Sequence, residues 1–471
     1  MPTDTALPGV PADVRARRWT ALALICAAQF MLILDVTVVN VALPSVAADL
    51  GLGRTALTWV VTAYTLCFGG LMLLGGRLAD ALGARRVLLT GLALFTAASL
   101  ACGLAPNATV LIGGRAAQGI GAALLSPAAL ALVTTAFHGP ERARALGVWA
   151  AVGGTGSAVG VLLGGALTAG PGWPWIFYAN VPTGLALLAV LPKLLPEDPA
   201  RTGTRHLDVP GALLVTTATG ALVHGLVRAG DSGWTAPATL LSLLGAVALY
   251  GVFAAVERGS RTPLMDLRML TRRPVVAGSL LMLVATALLI SFFFLGSMRL
   301  QHVNGLDAFR TGLLFLPVAL TTAIGAHLGS RLVTTAGPRA CAAGGMALAA
   351  AGCLPLAFLT PTADPWTTLL PSLATAALGL GAVFVTATTT ALGLIPAHEA
   401  GLASGIVNTF HEVGGAIGVA VASTVALGTP ATGFTTAFTL CAVTAATAAL
   451  TAPALIPRGR PHHPGGAHGL H

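Results

Sequence analysis

The chain has 471 residues, of which 55% are hydrophobic and only 9% charged, with a formal net charge of +9. A water-soluble domain carries about 25% charged residues, so no solvent-facing surface can be assembled from this inventory and the chain reads as a polytopic membrane protein. The basic residues are scattered over short loops and make no nucleic-acid footprint. Six cysteines set singly in apolar runs (Cys26, Cys67, Cys102, Cys341, Cys353 and Cys441) have no metal-ligand spacing and read as packing residues.

In chain order, apolar runs begin near residues 19, 56, 86, 108, 145, 174, 209, 236, 274, 311, 340, 366, 401 and 431, which predicts fourteen membrane spans. A span needs about 20 residues, and backbone groups in lipid must be satisfied within the segment, so these are helices. Residues 145–192 and 413–457 contain no Asp, Glu, Lys or Arg, and each divides into two spans at a break, Gly170-Pro171-Gly172 and Gly428-Thr429-Pro430. With both termini in the cytoplasm, all but five of the 25 basic residues fall in cytoplasmic segments; only Arg54, Arg228, Arg299 and Arg310 lie outside, and Arg115 lies within a span. One miscounted span would scramble that alternation, so the asymmetry supports both the number and the orientation.

The first span carries a carboxylate, Asp35, eight residues before Leu43 at its outer end. A charge at such a depth costs about 2.5–3.5 kcal/mol on insertion scales and marks a functional position. Span 4 contains Arg115, flanked by glycines and Gln118 and expected at matching depth, where it neutralises Asp35 or shares a proton pathway with it. Its structural alternative is an arginine reaching for headgroups. Between them, the loop after span 2 reads Gly75-Gly76-Arg77-Leu78-Ala79-Asp80-Ala81-Leu82-Gly83-Ala84-Arg85-Arg86. Its glycines permit a tight turn, and Asp80 is placed to cap the next helix or pair with an arginine, a charge latch on one conformation. In span 5, Gly156, Gly160 and Gly164 make a smooth stripe suited to close helix contact, either as packing or as a pliable face between two halves. Glu412 lies near the middle of span 13, a second buried acid and candidate proton or cation site; its bland reading is a glutamate hydrogen-bonded to a neighbouring helix. His224 and His327 read as packing residues, and the histidines of the Pro/Gly-rich tail as a disordered end. A phosphate-binding loop needs Gly-Lys-Ser/Thr; the only lysine, Lys193, precedes Leu194, so this chain has no ATP site of that kind and no cofactor is expected.

Spans 1–6 and 9–14 divide the chain into two six-helix bundles, residues 1–195 and 274–457. Residues 196–273 form a linker carrying spans 7 and 8, and residues 458–471 a cytoplasmic tail. A degraded repeat relates the halves: Arg77-Leu78-x-Asp80-x-x-Gly83-x-Arg85 aligns with Arg331-Leu332-x-Thr334-x-x-Gly337-x-Arg339 at constant offset. Parallel repeats of this kind fit a rocking transporter whose site lies at midplane.

Four strings in order, Leu34-Asp35-x-Thr37-Val38-Val39-Asn40-Val41-Ala42-Leu43-Pro44, the loop Gly76 to Arg86, Arg115-x-x-Gln118-Gly119-x-Gly121 and Trp175-Ile176-Phe177-x-x-Asn180-Val181-Pro182-x-Gly184, resemble the fourteen-span drug:proton antiporters of the major facilitator superfamily. The resemblance covers nearly the whole chain. It implies an all-helical major facilitator fold of two six-helix bundles plus two extra helices, in the cytoplasmic membrane of a bacterium, exporting amphipathic cationic or neutral drugs against protons. It also implies proton coupling at Asp35, proton transfer at Arg115, and a conformational latch at Asp80, Gly83, Arg85 and Arg86. Two departures stand out. Span 5 has Ser157 and Val161 where antiporters commonly place prolines, and span 13 has His411 and Glu412 where an arginine-glutamine pair is common. Asp35 is expected at the seam of the halves, in reach of a water-filled cleft. The rivals are an exporter of one endogenous metabolite on the same fold, and a membrane-embedded sensor or enzyme, which would show clustered histidines or acids that the sequence lacks.

Overall fold

The computed structural model describes residues 12–137, 139–198, 208–260, 268–358, 360, 363–392, 400–428 and 433–457. The described residues are helical throughout, with no strand among them. In order the helices are α1 (Ala12–Leu50), α2 (Arg54–Leu82), α3 (Ala84–Gly103), α4 (Ala108–Ala136), α5 (Gly139–Ala169), α6 (Trp175–Tyr178), α7 (Asn180–Leu194), α8 (Val209–Ser232), α9 (Pro237–Gly259), α10 (Arg273–His302), α11 (Ala308–Thr335), α12 (Pro338–Cys353), α13 (Leu370–Leu392), α14 (Ala400–Gly428) and α15 (Gly433–Leu455). With α6 and α7 as one broken span, these make fourteen crossings. Twelve are long and apolar enough to cross a membrane by length and hydropathy, and α5 and α14 complete the set.

Local chemistry explains the ends. Asn107, Asp208 and Asp307 each accept a backbone N–H three residues on, at 3.0, 2.8 and 2.7 Å, satisfying donors that the first turn of a helix leaves free. Gly83 (φ 102°) and Gly337 (φ 88°) make the α2–α3 and α11–α12 reversals at backbone angles that a side chain disfavours. α1 runs past Pro44 to Leu50, seven residues beyond the end read from the sequence. Burial of Val41, Ala42, Leu43 and Val46 holds the helix through the proline.

α1–α5 and α7 pack among themselves, as do α10–α15. The repeat seen in the loops is a repeat of the fold. Arg17 and Arg85 donate to the carbonyls of Lys193 (2.5 Å) and Pro192 (2.6 Å) at the end of α7. Arg273 and Arg339 do the same for α15, Arg273 reaching Ala454 and Leu455 and Arg339 reaching Ile456 at 2.7 Å. Cationic donors at a C-terminal turn complement both the orphan carbonyls and the helix dipole. The face carrying these arginines is called the basic face below.

At the opposite face the bundles touch through α5 and α11 and through α1 and α10, while α2 runs along α14 from Thr58 and Ser423 at that face, past Gly69 and Glu412, to Leu73 and Gly405 nearer the basic face. Gln301 of α10 donates to the carbonyl of Val41 in α1 at 2.8 Å, and the Thr58 hydroxyl of α2 donates to Ser423 of α14 at 2.8 Å. α8 lies against both α2 and α14, with α9 packed on its outside. The tail 458–471 and residues 199–207 and 261–267 of the linker lie outside the described residues.

Candidate functional site

A cavity of about 1110 Å³ lies between the bundles. Exposed Arg77 and Asp80 stand at its mouth, so it opens to the basic face. Its walls carry Phe68, Met72, Trp149, Phe293 and Phe384, together with the hydroxyls of Thr37, Thr65 and Thr286. One carboxylate comes from its depth: Glu412, half-way along α14. The backbone of Gly69 in α2 lies directly against Glu412, so that a methyl group there would collide with it. His411 also lines the cavity; its Nδ1 lies 2.9 Å from the Thr286 hydroxyl and its Nε2 lies 4.0 Å from the Glu412 carboxylate. The site thus offers aromatic faces, a few hydroxyls, an imidazole and an acid, which is chemistry for binding and proton exchange.

Asp35 does not line this cavity. Its side chain is 1% exposed and turns inward, within the first bundle rather than at the seam where it was expected. There it forms an ion pair with Arg115 Nη1, and accepts from Gln118 Nε2 at 3.1 Å and Asn180 Nδ2 at 3.2 Å. Arg115 further donates to the carbonyl of Val60 (3.0 Å) and to Gln118 Oε1 (2.8 Å), with its guanidinium 4.4 Å from the Tyr64 ring centroid. Gln118 donates to Ser99, 2.8 Å away. Five helices (α1, α2, α3, α4 and α7) meet at this buried knot. The reason for the inward turn is physical: a carboxylate among apolar helices is tolerable only where donors converge on it. Val36 and Thr37, the next two residues, do line the cavity, so Asp35 is screened from it by its own helix.

Asn180 was visible in the sequence only as part of a string, and Tyr64 and Ser99 carried no signal beyond being polar residues in apolar runs. The helix break at Ala179, between α6 and α7, brings Asn180 to the start of a new helix facing α1.

The latch differs from its expected form. Asp198, beyond α7, caps α3 by accepting from the amides of Arg85 (3.1 Å) and Arg86 (3.0 Å). The left-handed turn at Gly83 packs directly on Asp198, so the first amides of α3 meet the linker and not Asp80, which is still in α2. Among the described residues Asp80 has no hydrogen-bond or ion-pair partner; it stands exposed at the cavity mouth, one turn beyond Gly76, which also lines it.

Of the two readings of the glycine stripe, the contacts are those of packing within one bundle. Gly156, Gly160 and Gly164 face α1 in their own bundle, against Ile33, Thr37 and Val38. The seam is made by their neighbour Gly165: a methyl there would meet the Ala308 carbonyl at 2.7 Å, and one at Gly312 of α11 would meet the Val161 carbonyl at 2.7 Å.

A profile of the Major Facilitator Superfamily matches residues 25–419. Among similar proteins, the puromycin resistance protein pur8 of Streptomyces alboniger is 44% identical over 88% of this chain and 83% of its own length. The cephamycin export protein CmcT of Amycolatopsis lactamdurans is 38% identical over 86% and 84% respectively. The multidrug resistance protein Stp of Mycobacterium tuberculosis is 36% identical over 84% and 73%. Among solved structures, a bacterial homologue of the human lysosomal transporter Spinster, described as inward-facing and unoccupied, superposes with TM-score 0.67 over 95% of this chain and 98% of that one. At 16% identity that likeness speaks for the fold alone.

Proposed function

The chain belongs to the Major Facilitator Superfamily, and from that premise we propose that it exports amphipathic drugs or antibiotics across a bacterial cytoplasmic membrane, driven by protons flowing inward. It is a multi-pass membrane transporter and not an enzyme. The observation that carries the reading is the cavity between the bundles, large, aromatic-walled and provided with a single deep carboxylate, Glu412. A pocket of that size, which mixes aromatic walls with hydroxyls, the amides of Gln29 and Asn408 and one deep acid, suits amphipathic cargo.

Orientation follows from the positive-inside rule: the basic face, and with it both chain ends, is cytoplasmic. The cavity then opens to the side from which an exporter loads. In this reading Glu412 exchanges a proton for a cationic or neutral cargo. The bundles 1–195 and 274–457 rock about the site, with α8 and α9 of residues 196–273 riding on the flank of α2 and α14. Asp35 is closed off from the cavity in this conformation, so in this reading it takes its proton in another state of the cycle, where the loss of charge releases Arg115 and loosens α1 against α4 and α7. ATP plays no part. A second reading, export of one compound, is favoured by relatives named for a single antibiotic each, puromycin and cephamycin.

The test uses proteoliposomes with an imposed pH gradient. Uptake of a cationic dye or of puromycin is expected when the inside is acid, with proton release measured in parallel; transport that ignores the gradient overturns the coupling. A panel of cationic, neutral and anionic cargoes separates the two readings, since an exporter of one compound moves only one of them.

A further inference from the structure

A second space lies inside the first bundle at its basic end. This crevice of about 450 Å³ is walled by Leu22 and Ile25 of α1, Leu132 and Val133 of α4, and Phe137 and Leu195. Arg17 and Arg18 line its mouth. The central cavity does not use it: α4 turns Leu130, Ala131 and Thr134 to that cavity and Leu132, Val133 and Ala136 to the crevice.

We infer that this crevice binds one anionic phospholipid from the leaflet at the basic face, with its phosphate on Arg17 and Arg18 and an acyl chain along the apolar walls. Three observations support this occupant. The first is charge. Arg18 has no partner among the described residues, and Arg17 commits one donor to the Lys193 carbonyl, although a guanidinium carries five. Lys193 is exposed at the end of α7, and Asp198 is turned onto the start of α3; the acids left near this end are Glu197 and Asp13, the latter one turn before Arg17 in α1, against three basic residues. The second is depth. From Arg17 to Ile25 is eight residues, about 12 Å of helix, so the space runs from the level of headgroups into the level of acyl chains. Trp19, at the boundary where aromatic residues anchor a membrane helix, packs edge-on against Phe137 at 5.1 Å between centroids. The third is the meeting of charge and space: Arg17 and Arg85, like Arg273 and Arg339 of the second bundle, are engaged by carbonyls at a helix end, and Arg18, without a partner among the described residues, is left at the lip of an apolar slot. Basic pockets between membrane helices at the cytoplasmic side are the setting in which anionic headgroups bind.

The full-length protein, purified in a neutral detergent, is titrated with phosphatidylglycerol, phosphatidylcholine or inorganic phosphate. Melting temperature and retained lipid, by native mass spectrometry, are the readouts. Phosphatidylglycerol alone is expected to raise the melting temperature and to remain as one bound molecule. Arg18→Gln should weaken that binding at least tenfold, and Ala21→Trp, which fills the crevice and leaves every charge in place, should abolish it. Thr135→Trp at the exposed rim serves if Ala21→Trp does not fold. Equal protection by phosphatidylcholine overturns the inference. So does equal protection by inorganic phosphate, which makes this an ion site, or retention of the bound lipid in a folded crevice-filling variant.

Discussion

A guanidinium and a carboxylate that are each 1% exposed form a pair whose loss is asymmetric. Removing one partner strands the other charge, at a cost of about 3–5 kcal/mol, whereas removing both and filling the space with apolar groups is often close to neutral. Asp35→Asn or Arg115→Met alone is therefore expected to lower the melting temperature clearly, while Asp35→Leu combined with Arg115→Met recovers most of it. If the pair only holds the bundle together, the double variant regains proton-driven uptake as well; on the coupling reading it regains stability alone. Glu412 makes the opposite prediction. It lines the open cavity, and among the described residues its ionisable neighbour is the imidazole of His411 at 4.0 Å, so Glu412→Gln should leave the melting temperature within a few degrees of wild type. Transport of a permanent cation should fall by an order of magnitude or more while a neutral cargo is less affected, as rates across a concentration series of each would report. Both acids stood out in the sequence for one reason, their solvation cost in lipid. Which of them faces water was not legible, because that depends on the partners supplied by α4 and α7, distant in sequence.

Among the elements, α5 shows how a pattern reveals a contact without naming the partner. The four-residue spacing of Gly156, Gly160 and Gly164 announces a close approach, and one occurs, but to α1. Gly165, one residue on and therefore about 100° around the helix, points to the other bundle. The two sites predict different defects. Gly160→Ala drives a methyl into the Thr37 hydroxyl within a packed bundle and should cost about 1–3 kcal/mol of stability, read as a lower melting temperature. Gly312→Val instead wedges the contact between α5 and α11 across the seam. Its expected effect is a wider separation, by spin-label distance measurement, between probes at Gly53 and Gly305 in the turns opposite the basic face, with little loss of stability. An unchanged distance would mean that the seam yields elsewhere. The cytoplasmic turn teaches the same lesson. Gly83 and Gly337 were readable as paired turns from their common offset, and both adopt positive φ. The cap of α3 was not readable, because Asp198 arrives from a different part of the chain.

At the scale of the whole molecule, the fourteen crossings and the two-fold internal repeat were legible because lipid imposes length, apolarity and charge asymmetry on every helix alike. The way the bundles meet is a property of one conformation, in which the cavity is open at one face and the α2–α14 contact, which passes Gly405 and Gly69, continues to the other. Thr58 and Ser423 hydrogen-bond across that contact at 2.8 Å. Both are fully buried, and both lie near the ends of their helices that are farthest from the basic face. If the bundles rock, this distance must lengthen in every transport cycle. Thr58→Cys with Ser423→Cys, in a background from which the six native cysteines are removed, places two sulfurs close to disulfide reach. Under oxidising conditions transport should stop, and a reductant should restore it, while binding of a fluorescent cargo from the basic face persists because the cavity stays open there. A cross-linked protein that still transports at the wild-type rate would show that α2 and α14 move together, placing the moving seam at α5 and α11 alone. Loss of cargo binding on cross-linking would instead mean that the binding site needs freedom at this contact, and that the two faces are not gated separately.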